Sequence, residues 1–267
     1  MGNRKLNSVE LVPIKIPRKN KPFDLFNTIK NISLRVLDGD ILIISSKFVS
    51  MSEGALVHLR DVTPSHRAKN LASQFRMDEK FVEVVLKESD TIVSGIPGFL
   101  LSIHDGILAP NAGIDKSNVP PGTVIIYPRN PYGSAEKLRK QFLGELNLNV
   151  GIVISDSRLM PLRIGTIGVA IGVAGLEPVE DDRGRKDLFG KRLRFTYRSV
   201  ADSLATMGVA LMGESNESIP IVIARGFKVT FSRRLLSSRD TTVSYSNDLY
   251  FSSKLLIKAT NTKNTEF

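Results

Sequence analysis

The chain has 267 residues, of which 42% are apolar and 24% charged, a balance that fits a globular protein with a sizeable core. It contains no cysteine, which excludes disulfides, thiolate zinc sites, iron–sulfur clusters and thiol nucleophiles together. The formal net charge of +10 raises nucleic acid as a partner, but the basic residues gather only at the N-terminal edge and are otherwise interleaved with acids. No helix-turn-helix, zinc-finger or RNP signature is present, so no nucleic-acid partner is expected, and steering of an anionic small substrate accounts for the same surplus.

The N-terminal stretch MGNRKLNSVELVPIKIP has no apolar signal-peptide core. No segment reaches the roughly 18 apolar residues of a membrane span, and a soluble cytoplasmic protein with no membrane partner is expected. Residues 9–17 read as an edge strand bounded by proline, followed by the exposed basic run 18–21. Residues 24–32 form a short helix, Asp38-Gly39-Asp40 a turn, and residues 41–45 (ILIIS) a buried strand. Lys47 comes just past that strand, where a lysine can reach a phosphate or simply open a loop. A helix is predicted from Pro64 to Phe75 with Thr63 as its N-cap, and another over residues 78–89 with Phe81, Val84 and Val85 inward. After Asp90 the texture changes to short β segments and turns, and a second domain is expected to begin there. Residues 134–146 make a capped helix. Residues 150–154 are a second buried strand that halts at Ser155-Asp156-Ser157, placing polar side chains at the rim of a sheet. Residues 198–212 give a helix with Val200, Leu204, Met207 and Leu211 on one face, residues 219–224 a strand, and residues 258–267 a flexible tail.

Three acidic loops interrupt apolar sequence: residues 111–118 with Asp115, Ser155-Asp156-Ser157, and Met212-Gly213-Glu214-Ser215. Their carboxylates, hydroxyls and amides are hard oxygen donors suited to magnesium or manganese. Any one of them alone reads as a helix cap or turn. Glycines 165, 168, 172 and 175 match neither the dinucleotide fingerprint nor the phosphate loop, and their spacing predicts one closely packed helix face. His58, His66 and His104 have neither triad nor metal-ligand spacing. No G-x-S-x-G elbow is present, so no covalent nucleophile is expected and metal-assisted chemistry on phosphates is what remains.

These motifs carry a resemblance. The stretches GDILIISSKFVS (39–50), NAGIDKSNV (111–119), PRNPYGSAEKLR (128–139), ISDS (154–157), GVAIGVAGLEPVEDDRGRKDLFGKRL (168–193) and SVADSLATMGVALMGES (199–215) resemble the coenzyme F420-0:L-glutamate ligase family over about residues 12–226. The resemblance implies transfer of L-glutamate onto the lactyl carboxylate of coenzyme F420-0, driven by GTP with two Mg2+ or Mn2+ ions and room for a monovalent cation. It implies Asp115 and Asp156 as metal ligands, with Ser157 and Glu214 at a second metal. It places the nucleotide on Lys15, Ile16, Pro17 and Arg18, on Ser46, Lys47 and Asn118, and on the loop Met212, Gly213, Glu214, Ser215, Asn216, Glu217, Ser218 and Ile219. Three departures stand out: a family glycine is missing before Ile16-Pro17, Met51 replaces a family lysine, and SRLMPLR (157–163) has lost the family's aromatic residues. Some members of the family carry a C-terminal flavin-binding extension, and none is expected here.

The fold expected is α+β, a two-domain mixed α/β protein of the F420 ligase type, not Rossmann, P-loop or ATP-grasp. Residues 1–90 with 192–257 are expected as the first domain and 91–191 as an inserted second one. The resemblance also implies a homodimer. Two other readings stand beside it: an amide ligase of the same mechanism with another carboxylate acceptor, and a nonenzymatic nucleotide or nucleic-acid binder.

Overall fold

The computed structural model describes residues 8–19, 21–32, 34–244 and 246–250; the expected tail, 258–267, lies outside them. Strand β1 (Glu10–Ile14) leads to helix α1 (Leu25–Lys30), where Asp24 caps the Asn27 N–H at 2.7 Å. Strand β2 (Ile41–Ser45) is followed at once by helix α2 (Ser46–Glu53), so Lys47 sits on the first turn of a helix rather than in a loop. Next come β3 (Leu56–His58), α3 (His66–Phe75) and α4 (Glu79–Glu88). Helix α3 is capped by Ser65, not by the expected Thr63, and Pro64 lies outside it. Strands β4 (Thr91–Ile96), β5 (Phe99–His104) and β6 (Ile107–Pro110) form a three-stranded antiparallel sheet, and β7 (Thr123–Ile125) pairs with β3.

Helix α5 (Pro131–Leu146) starts three residues before the expected 134, because Asn130 caps the Gly133 N–H at 2.8 Å and Pro131 suits the first helical position. Strand β8 (Gly151–Leu159) does not halt at Ser155. It runs on through Asp156 and Ser157, paired with β9 (Thr166–Ala174), as a ribbon extending past the end of β2. The charged loop that follows is gathered between β10 (Val179–Asp181) and β11 (Tyr197–Ser199), ahead of α6 (Val200–Met212) and β12 (Ile221–Arg225). Helix α6 buries Ala201, Leu204, Ala205, Gly208 and Met212, a face rotated from the one expected; Leu211 is exposed.

The main sheet has the order β1-β12-β2-β8-β9, with β2 and β8 parallel and the other neighbours antiparallel. One face carries α1 and α5 over a core with Phe26, Ile29, Leu42, Ile44, Phe142, Ile152 and Ile154, and the other carries α6, whose Leu204 packs with Ile41, Ile43, Val153 and Val222 in one core. The first four residues of β2 are wholly buried, as the unbroken apolar run ILII requires of a strand covered on both faces. A separate core lies between α3, α4 and the strands around them, with Ala68, Phe81, Val85, Leu100 and Val124. The main sheet therefore joins strands from 41–45, 151–174 and 221–225, and the expected boundaries at 91 and 191 do not coincide with these cores: the second one is built from residues 57–126, and β8 and β9 belong to the first.

The glycines of β9 correct the helical expectation. They lie on a strand, and the register slips by one residue between the pairs Ile154↔Gly172 and Ser155↔Ala170, leaving Ile171 as the extra residue of a bulge. The slip turns Gly168 towards α6 and Gly172 towards α5. A Cβ on Gly168 would stand 2.2 Å from the carbonyl oxygen of Ala205, and one on Gly172 2.6 Å from the backbone of Pro131. Close approach of helix to strand is the correct part of the expectation. Gly168→Ala is therefore expected to lower stability by about 1–3 kcal/mol through overpacking against backbone, measured as a shift in the denaturant midpoint; an unchanged midpoint would contradict this packing.

Candidate functional site

The end of β2 and the polar stretch 155–157 of β8 open onto a cleft of about 400 Å³. Crevices of this kind form where parallel strands end and the following segments turn away. The cleft is lined by Ile16, Pro17 and Arg18, by Ser46 and Lys47 on α2, by Asp115 and Asn118, by Asp156 and Ser157 on β8, and by Met212, Gly213, Glu214, Ser215, Asn216, Glu217, Ser218 and Ile219 after α6. Residues from five separated stretches of chain thus meet in one place. Lys15 is the exception; it lines a different depression, between β1 and α1. Of the departures, Met51 lines the cleft, whereas Leu162 is 99% exposed and outside it.

Hydrogen bonds hold the separated segments together. Asn118 Nδ2 donates to the Ser215 carbonyl at 2.8 Å, Ile16 N–H to the Ser218 carbonyl at 2.9 Å, and Ser218 Oγ back to the Ile16 carbonyl at 2.7 Å. Lys47 Nζ lies 2.5 Å from Asp115 Oδ2 and 2.7 Å from Ser117 Oγ. Burial pushes the Asp115 carboxyl up, but the hydrogen bonds from Lys47 and the Ser117 N–H outweigh it and hold the group below the ordinary carboxylate range. Asp115 is thus an ionised carboxylate over a lysine, not a free acid.

Successive side chains of a strand point to opposite faces, and β8 divides its polar residues accordingly. Asp156 faces α2 and the segment after β7: Ser46 Oγ donates to its Oδ1 at 2.9 Å, Tyr127 OH to its Oδ2, and Arg158 Nε approaches Oδ2 at 3.5 Å. Ser157 faces the other way, where its Oγ donates to Glu214 Oε2 at 3.3 Å, while Thr166 Oγ1 donates to Oε1 at 2.9 Å. The three carboxylates share the cleft but do not crowd into one cluster. Among the described residues no group of three or more His, Cys, Asp or Glu is spaced to hold a metal. What the cleft offers is two groups of donors: the hydrogen-bonded pair Ser157 and Glu214, and Asp115 and Asp156, which line it each with its own partners. Both are all oxygen, which suits a hard divalent cation.

Tyr127 and Arg158 were not singled out by sequence. Both are about 95% buried, and Arg158 Nη2 donates to the Tyr127 hydroxyl at 2.9 Å while Nη1 donates to the Leu108 carbonyl. Burial, and then the neighbouring Asp156 charge, push the Tyr127 hydroxyl well above its ordinary value, so it stays protonated and donates. The NAGID turn makes room for it. Gly113 has φ +70°, and a Cβ there would stand 1.8 Å from the Tyr127 ring. The signal that could have found these residues is positional: Arg158 follows the SDS run, and Tyr127 directly follows the apolar segment TVII.

The family model described as F420-0:gamma-glutamyl ligase matches residues 14–226. The chain belongs to that family. Relatives named coenzyme F420:L-glutamate ligase include one from Methanopyrus kandleri, 38% identical over 229 residues that make up 85% of this chain and 91% of the relative. One from Archaeoglobus fulgidus is 38% identical over 83% of this chain and 89% of its own length, and one from Methanothermobacter thermautotrophicus 40% identical over 72% and 77%. This F420-0:gamma-glutamyl ligase family member has the whole span that builds the cleft, from Ile16 to Pro220, inside the matched region. No helix among the described residues is long and apolar enough to cross a membrane.

The Asp156 network makes a stability prediction. Removing the guanidinium leaves a carboxylate with only 15% of its side chain exposed and without its cation, a type of change that costs about 3–5 kcal/mol. Arg158→Met should lose about that much by denaturant titration at neutral pH. Adding Asp156→Asn to it should restore part of the loss, because the unpaired charge is gone. A double variant no more stable than the single one would show that Arg158 acts through packing alone.

Proposed function

We propose that this protein joins L-glutamate through an amide bond to the lactyl carboxylate of coenzyme F420-0, with GTP as the energy source. The observation that carries the reading is the assembly in a single cleft of Ser46, Lys47, Asp115, Asn118, Asp156, Ser157 and the 212–219 loop. Family membership supports the ligase part; the cleft's chemistry supports the phosphate part.

A carboxylate is a poor acyl donor until its oxygen becomes a good leaving group. In the proposed route an oxygen of the acceptor carboxylate attacks the γ-phosphorus, the bond from that phosphorus to the β-phosphate oxygen breaks, and GDP leaves. The amine of glutamate then attacks the acyl carbon, the C–O bond to phosphate breaks, and the amine proton passes to solvent as inorganic phosphate departs. No protein nucleophile is required, in keeping with a cleft that has neither a cysteine nor a histidine among its lining residues.

The chain's own groups bind and orient. The first turn of α2 offers unpaired N–H groups and the positive end of its dipole to phosphate oxygens. Lys47 and Asp115 brace that turn against the NAGID loop. The Asn118 to Ser215 hydrogen bond closes the 212–219 loop over the opposite wall. Asp115 with Asp156, and Ser157 with Glu214, are the residues that would hold divalent cations, which supply charge neutralisation for the transferring phosphoryl group. A homodimer is a further part of the reading, supported by fully exposed Leu162, Ile164, Leu188 and Phe189.

The decisive measurement incubates the protein with coenzyme F420-0, L-glutamate, GTP and Mn2+ or Mg2+ and reads the product by mass. The expected product is the coenzyme plus a glutamyl residue, with one GDP and one phosphate formed for each amide. Lys47→Ala should weaken binding of a non-hydrolysable GTP analogue by about tenfold, the size of one charge-assisted contact. No adduct with either metal, or full GTP hydrolysis without the acceptor, would sink the reading.

A further inference from the structure

Ser155 stands just before the two polar residues of β8 already placed in the site, and neither the reaction nor the donor sets use it. It is 2% exposed, it lines the floor of the cleft, and its Oγ has no hydrogen-bond partner among the described residues. A buried hydroxyl without a partner is destabilising, and such groups in a folded protein call for a reason.

Its surroundings suggest one. In the parallel register Ser155 is the direct partner of Ser45, and in-register neighbours project from the same face of a sheet. Ser45 is the N-cap of α2, yet its hydroxyl takes up none of the helix's free N–H groups. It lines the same cleft. The end of β2 and the neighbouring position of β8 thus present two serine side chains beside a helix start whose N-cap side chain makes no capping bond. The cation on that first turn, Lys47, already faces Asp115 at 2.5 Å. Neutral donors are therefore what this corner has to offer, arriving from β8 and from the β2–α2 junction.

Donors converging from different directions match a tetrahedral phosphate better than a planar carboxylate. We propose that Ser155, with Ser45 and the first turn of α2, forms a phosphate-oxygen subsite on the cleft floor, in which Ser155 Oγ donates directly to the ligand. The inference rests on the reading that this cleft takes phosphate ligands. The phosphate has two possible sources, a nucleotide or the phosphodiester of the coenzyme.

Calorimetric titrations of the wild type, Ser155→Ala and Ser155→Thr with a non-hydrolysable GTP analogue, with coenzyme F420-0 and with pyrophosphate test it. Ser155→Ala should bind at least one of these about tenfold more weakly, as expected for losing one hydrogen bond to a charged group. Its ligand-free thermal midpoint should be unchanged or higher, since the orphan hydroxyl is gone. Ser155→Thr, which keeps the hydroxyl, should bind within about threefold of the wild type, well short of the loss of a charged hydrogen bond. Loss confined to the nucleotide or to the coenzyme names the source of the phosphate. Should the alanine variant fold poorly, Ser155→Cys keeps the shape with a far weaker donor and carries the same comparison. Undiminished binding of all three ligands by Ser155→Ala overturns the subsite alone. A wild type that binds none of them overturns the subsite and the nucleotide reading together.

Discussion

The site depends on one strand pairing. Strand β2 runs parallel to β8 in the register Ile41↔Gly151 to Ser45↔Ser155, so that the polar end of β2 lies beside the start of the polar stretch of β8, 110 residues away in sequence. Parallel neighbours need a long crossover, and the crossover here is a whole second core rather than a single helix. The register is held from both faces. Strand β2 cannot slip by one residue without turning the wholly buried Leu42 and Ile44 out of the α1/α5 core and into the α6 side. Anchoring by apolar packing at the strand centre thus fixes polar geometry at the strand ends.

The second core contributes by reaching back. Its NAGID turn puts Asp115 over Lys47, and the segment that leaves it puts Tyr127 under Asp156. Arg158 closes the arrangement by donating to the Leu108 carbonyl in β6. A buried arginine in contact with a carboxylate, a tyrosine and a backbone carbonyl from three segments is a rigid joint between the two cores. Rigidity would matter in the proposed reaction, because phosphoryl transfer asks the protein for positioning more than for reactive groups.

Much of this was legible in the sequence. The apolar runs ILII and GIVI named the central strands, and residues 78–89 and 198–212 read as helices that the structure has within two residues at either end. Three of the cleft stretches stood out as acidic loops, but their convergence was legible only through family motifs, because five stretches spread over about 200 positions have no common spacing. What failed did so for physical reasons. Glycine at 3-4-3 spacing resembles a helix face, but a one-residue bulge in β9 gives a strand two facing helices, each needing a glycine at its contact. Ser155, Asp156 and Ser157 look like a strand terminus by polarity, yet β9 supplies ladder partners that carry the strand on to Leu159. Domain limits drawn from texture missed that β8 and β9 complete the first sheet.

Charge in the cleft bears on why cations belong in the proposed reaction. The basic lining residues are Arg18, Lys19 and Lys47; the acidic ones are Asp115, Asp156, Glu214 and Glu217. The surplus of +10 over the whole chain is therefore not concentrated where the phosphates would sit. One of these cations, Lys47, is committed to Asp115, and Met51 stands in the cleft where the family resemblance leads one to expect a further lysine. A nucleoside triphosphate entering such a lining meets at least as many negative as positive side chains. Its charge has to be met by helix N–H groups, by hydroxyls and by cations brought in with it, and the carboxylates that repel the bare ligand are the groups that would hold those cations. On this argument the larger share of nucleotide affinity in the proposed reaction would come from the metal and a smaller one from Lys47, while the rest of the positive surplus would act at long range.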